Sequence, residues 1–108
     1  MRPSLCFKSL LATIAMVCGA SAAQAQDVAA LRSRALAATC ANCHGTGGRA
    51  VDNASVPGLA GLPAAYLAEQ MRAFKAGTRP ATVMHQLAKG YSDAQIDQLA
   101  AYFAAQSK

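Results

Sequence analysis

Cys40, Cys43 and His44 stand in the stretch "ATCANCHGTGG", residues 38–48, two thiols three positions apart with an imidazole directly after the second. Three chemistries use that set. Thiol–disulfide exchange uses Cys-x-x-Cys, but after a strand in a βαβ setting. Structural zinc needs four ligands, and beyond this stretch the only other histidine is the distant His85. Covalent attachment of haem uses Cys-x-x-Cys-His. On a helical turn, positions i, i+3 and i+4 share one side, so both thiols reach the vinyl groups of one porphyrin while the imidazole approaches the iron.

The start of the chain favours the third chemistry. Arg2 and Lys8 precede an apolar run from Leu10 to Ala20, and Ala23-Gln24-Ala25 follows. This is the charged, apolar and small-residue order of a secretory signal peptide, with Gln26 as the first mature residue and the periplasm as destination. The run of 11 residues is short of the roughly 20 that span a bilayer, so a retained anchor is the weaker alternative. Ala15-Met16-Val17 before Cys18 is a poor match to a lipoprotein site. Cys6 and Cys18 therefore leave with the signal, residues 1–25, and Cys40 and Cys43 are the only cysteines of the domain at 26–108.

Removing 25 of the 108 residues leaves 83, enough for one small domain. A Cys40–Cys43 disulfide would close too short a loop to stabilise it much. Its aromatics are Tyr66, Phe74, Tyr91, Tyr102 and Phe103, with no tryptophan. A porphyrin is a large apolar plate, and burying it adds the contact area that so many alanines cannot provide.

The formal charge of +5 includes Arg2 and Lys8, so the mature chain carries +3. Its basic residues are scattered and no aromatic platform interleaves with them, which argues against a nucleic-acid partner and leaves an acidic docking partner open.

The segments that must position this motif read as helices. Val28, Leu31, Ala35 and Ala38 recur at three or four residues, predicting a helix from Asp27 to about Asn42 that runs straight into the cysteines. Gly45, Gly47 and Gly48 end it, and residues 49–61 read as irregular loop. Pro63 suits the first turn of a second helix reaching about Ala76, with Leu67, Met71 and Phe74 as its apolar stripe. Gly77-Thr78-Arg79-Pro80 stops that helix, and a connecting segment carries Met84 and His85 into a short turn. Ser92 and Gln95 form a capping box for a last helix from about Asp93 to Gln106. No strand pattern or internal repeat is visible, so the fold class is all-α.

A haem that only passes electrons benefits from a second axial ligand that excludes small molecules. The candidates are Met71, Met84 and His85. Met71 belongs to an apolar stripe and reads as core, whereas Met84 lies beyond a Gly and Pro break on a segment free to turn toward iron. Met84 is preferred, with His85 its main competitor. A thioether favours reduced iron, so a His44 and Met84 pair implies a higher potential than two histidines.

The chain resembles class I c-type cytochromes over nearly all of residues 26–108. The resemblance is carried by "CANCHG" at Cys40–Gly45, "PGLAGLPAAYLAEQMRAFKAGTRPATVM" at Pro57–Met84 and "YSDAQIDQLAAYFA" at Tyr91–Ala104. The middle stretch is most like the short cytochrome subunit of flavocytochrome c sulfide dehydrogenase. The resemblance implies one covalent haem c in a crevice, first and last helices that cross, and Leu36 meeting Leu99 and Tyr102 there. It also implies that the Pro57 carbonyl accepts from the free ring nitrogen of His44. The family commonly has glycine at the crossing, where this chain has Arg32. Tyr66 and Arg79 are candidates for the haem propionates, against ordinary surface positions.

Two classes of function follow. As an electron carrier the protein needs no catalytic constellation, and no Ser/His/Asp set, paired carboxylates or phosphate loop is present. As an enzyme it would need an open iron position, with His85 the only candidate base. Electron transfer is preferred. The resemblance implies a flavin-containing sulfide dehydrogenase subunit as electron donor and a downstream redox protein as acceptor, while a free soluble shuttle remains the alternative.

Overall fold

The computed structural model describes residues 26–108. The boundary expected after residue 25 and the signal sequence before it lie outside the described residues. The described residues divide into two units between Arg32 and Ser33. In the first, residues 26–32 are helical and exposed.

The second unit opens with helical residues 33–38 (α1), followed by α2 (Ala41–His44), α3 (Ala64–Ala76), α4 (Met84–Leu87) and α5 (Asp93–Ala104). A single 3-10 turn at Thr46–Gly48 follows α2 after a break at Gly45, and another at Ala88–Gly90 directly continues α4. The described residues contain no strand, and the fold is all-α as the sequence predicts.

The helix leading into the cysteines differs from its expectation. Helical backbone stops at residue 38, and Thr39 and Cys40 form a turn before α2 starts. Thr39 causes the break: its hydroxyl donates to the Leu36 carbonyl at 2.7 Å, occupying an acceptor that a continuing helix would use. Pro63 sits one residue earlier than predicted, as the N-cap of α3, with extended backbone at ψ 133°. Gly77 closes α3 in the left-handed conformation at φ 76°, where its N–H and that of Thr78 take up the last carbonyls. α5 begins as expected, with Gln95 N donating to Ser92 Oγ at 3.2 Å and Ser92 N to Gln95 Oε1 at 2.8 Å.

α3 and α5 form the main helix pair of this unit. Leu67 and Ala68 of α3 pack with Ile96, Leu99, Ala100 and Phe103 of α5 and with Ala37 of α1. Leu36 and Tyr102 rest half-buried on that cluster, and Gln98 Nε2 donates to Ser33 Oγ at 2.8 Å. Among the described residues, five of the nine buried apolar residues are alanines, and Ile96 alone among large side chains is fully enclosed. A protein-only core of this kind is thin for a domain of this size, and a buried apolar cofactor would add to it. Arg72–Asp97 at 2.6 Å and Lys75–Asp93 at 2.8 Å join α3 to α5 at the surface, where ion pairs contribute about 0–1 kcal/mol.

Candidate functional site

Cys40 caps α2 at αR dihedrals and its carbonyl accepts from His44 N at 2.9 Å, so one helical turn carries both thiols and the imidazole. Cys43 is exposed, Cys40 half-buried and His44 buried. The turn then ends abruptly. Gly45 has φ 82°, and a Cβ there would lie 1.9 Å from the Arg49 carbonyl oxygen, so only glycine fits.

His44 is fixed by the loop that follows. Its Nδ1 lies 2.7 Å from the Pro57 carbonyl oxygen. A carbonyl only accepts, so Nδ1 carries the proton and Nε2 presents a free lone pair. Pro57 is held there through its neighbours: Leu59 N and Ala60 N donate to Gly48 O at 2.7 and 3.0 Å.

Cys40, Cys43 and His44 line one cleft of about 580 Å³, within the range of cofactor sites. Leu59, Leu62, Leu67, Leu99 and Phe103 also line it, and both Met71 and Met84 do. His85 is not among the lining residues; its Nδ1 is buried without a hydrogen-bond partner. The structure thus brings Cys40, Cys43, His44, Pro57 and Met84 together, retains Met71 as a second sulfur at the same cleft, and turns His85 elsewhere. An apolar cleft beside a thin core fits a large apolar plate, and the free Nε2 fits an iron ligand.

Burial pushes the Cys40 thiol above its ordinary range, opposed by its contact with Thr39 and reinforced by Cys43. A thiol held protonated is poorly suited to disulfide exchange. Among the described residues, no group of three or more His, Cys, Asp and Glu assembles into a metal cluster.

Tyr66 and Arg79 both line the cleft. Arg79 lies 4.6 Å above the Phe74 ring and donates to Gln70 Oε1 at 2.5 Å. Sequence reasoning missed Thr39 and Tyr91, whose hydroxyls meet at 2.9 Å beside the cleft. Nothing in the local pattern joins two residues so far apart in the chain.

The sequence profile of the family described as Cytochrome c matches residues 28–107. The chain belongs to the cytochrome c family. As a cytochrome c it carries covalently bound haem c, with Cys40 and Cys43 at the attachment positions. It is 49% identical over 67 residues to the thiosulfate dehydrogenase electron acceptor of Thiomonas intermedia, covering 62% of this chain and 31% of that protein. It is 38% identical over 77 residues to the cytochrome subunit of sulfide dehydrogenase of Chlorobaculum tepidum, covering 71% of this chain and 68% of that one. A thiosulfate dehydrogenase electron acceptor of Stutzerimonas stutzeri is 43% identical over 68 residues, 60% of this chain and 31% of the relative. This cytochrome thus spans about a third of the length of the two thiosulfate-linked relatives.

Proposed function

We propose that this cytochrome is a periplasmic one-electron carrier whose iron is held by His44 and Met84 and whose donor is the flavin-containing subunit of a sulfide dehydrogenase. The observation that carries the ligand set is the His44–Pro57 contact, 2.7 Å long, which leaves Nε2 free on a cleft that Met84 shares with both cysteines. A haem held there would supply one-electron redox chemistry.

The chain's own residues do the rest. Cys40 and Cys43 anchor the cofactor through thioethers, so it stays in place in either oxidation state. The Pro57 carbonyl fixes the ring orientation of His44 and raises its basicity. Met84 would offer the haem a thioether, which favours the reduced state, and would compete there with small molecules. Leu59, Leu67, Leu99 and Phe103 line the cleft with apolar side chains, which disfavour water beside a bound cofactor. No side chain is assigned to bond-making or bond-breaking.

Export is supported by the order of residues 1–25 and by the attachment motif. Among the described residues, no helix is long and apolar enough to cross a membrane. Mass measurement of the native protein tests the export reading, with Gln26 the expected first residue.

The sulfide reading is supported by the likeness to a sulfide dehydrogenase cytochrome subunit along 71% of this chain. A second reading, a free acceptor for a thiosulfate dehydrogenase, is favoured by the 49% identity to a protein of that name. Purification from the source separates them. A stable complex with a flavin-containing chain whose haem is reduced by sulfide supports the first; a lone monomer reduced only by thiosulfate with its dehydrogenase supports the second.

A further inference from the structure

The hydroxyls of Tyr91 and Thr39 are 2.9 Å apart across 52 positions of sequence, and both residues line the cleft. The direction of this bond is determined by its neighbour. Thr39 has one hydroxyl proton, and at 2.7 Å from the Leu36 carbonyl oxygen that proton is committed there. Tyr91 therefore donates and Thr39 accepts. The two ends belong to different parts of the site. Thr39 immediately precedes Cys40, whereas Tyr91 ends the α4 and 3-10 segment that begins at Met84, and its N–H donates to Ala88 O at 3.2 Å.

The geometry points to Tyr91 as a positioning residue: its hydroxyl latches the Met84 segment to the Cys40 side of the cleft and keeps the Met84 sulfur on iron. This rests on Met84 as the axial ligand. Its ring packs against the core cluster, so Tyr91→Phe removes the latch and keeps the packing. Opening of the segment must precede entry of a competing ligand. Losing one hydrogen bond shifts such an equilibrium by about three- to tenfold.

The test titrates the ferric holoprotein with imidazole. Tyr91→Phe is expected to raise imidazole affinity about three- to tenfold. Thr39→Val deletes the bond to Leu36 O as well as the latch, so it is expected to raise affinity at least as far as Tyr91→Phe, and Thr39→Ser is expected to behave as wild type. The double variant should not exceed Thr39→Val, since that change already deletes the bond that Tyr91→Phe removes. In a Met84→Ala background, Tyr91→Phe should have no effect. Unchanged affinity in Tyr91→Phe, or additive effects of the two changes, overturns the latch. If the far-red band of ferric sulfur ligation survives Met84→Ala, the ligand assignment itself fails. If that change removes the band while Tyr91→Phe binds imidazole like wild type, only the latch fails.

Discussion

The Nδ1 of His44 donates to the carbonyl of Pro57 at 2.7 Å, and that contact depends on a glycine nine residues from Pro57. Gly48 O accepts from Leu59 N and Ala60 N at 2.7 and 3.0 Å, which sets the loop carrying Pro57 over the cysteine turn.

Gly48→Ala should therefore be costly on two grounds. Its φ of +79° is left-handed, and a Cβ would lie 2.7 Å from the Phe103 ring and 3.0 Å from Ala60 N. Backbone strain contributes about 1–3 kcal/mol and overpacking a similar amount. Gly77 has φ +76° and open space to 4 Å around the place a Cβ would take, so Gly77→Ala should carry the strain alone. Thermal unfolding of the two variants should place Gly48→Ala clearly below Gly77→Ala.

Covalent attachment gives a direct outcome. The haem should stay with the polypeptide in acidified organic solvent and on a denaturing gel. Replacing both Cys40 and Cys43 with serine should release it under the same extraction, because the thioethers do not depend on the fold.

The two sulfurs at the cleft should separate in an absorption spectrum. Met84→Ala should abolish the weak far-red band of sulfur-ligated ferric haem and open the reduced iron to carbon monoxide. Met71 is half-buried against the core cluster, so Met71→Ala should keep the band and cost about 2 kcal/mol or somewhat more in stability. Loss of the band in Met71→Ala instead would reverse the two roles.

Legibility follows the range of each interaction. The attachment motif, the glycines after it and the Ser92–Gln95 box are local in sequence, and they read correctly because a few adjacent residues carry the whole effect. The break at Thr39 does not, since alanines and arginines on both sides favour helix and a single hydroxyl bonding back to Leu36 overrides them. Pro57 comes from family resemblance, as no periodicity singles out a backbone carbonyl. Met71 reads as core by spacing, and it is core, yet the same side chain also reaches the cleft, because one helix face serves both surfaces.

A pH effect follows from Asp93. The hydrogen bond and charge of Lys75 hold its carboxyl below the usual value of 3.8, with Arg72 adding to the effect. A depressed folded value stabilises the fold above the unfolded one, and this is lost as pH falls through the folded value. Asp93 is fully exposed, so the effect is small. Wild type should unfold at a slightly higher temperature than Asp93→Asn near neutrality, and the two should converge as pH falls below 3.8.

The docking face supplies the last test. Val83 and Leu87 line the cleft and remain 55% and 52% exposed, and the exposed Cys43 shares that lining. Cys43 is an attachment position, so a donor must approach this side for close electron transfer. Apolar contact suits a lasting, dry interface, which salt screens little. Val83→Asp and Leu87→Asp put a charge into that contact without touching Cys40, Cys43 or His44. Each should slow haem reduction by the donor and weaken the complex, while the far-red band and the midpoint potential of the isolated protein change little. Wild-type association should persist at moderate salt. An interaction that disappears with added salt and is indifferent to both substitutions would instead point to charge-steered docking through residues such as Arg79 or Lys89.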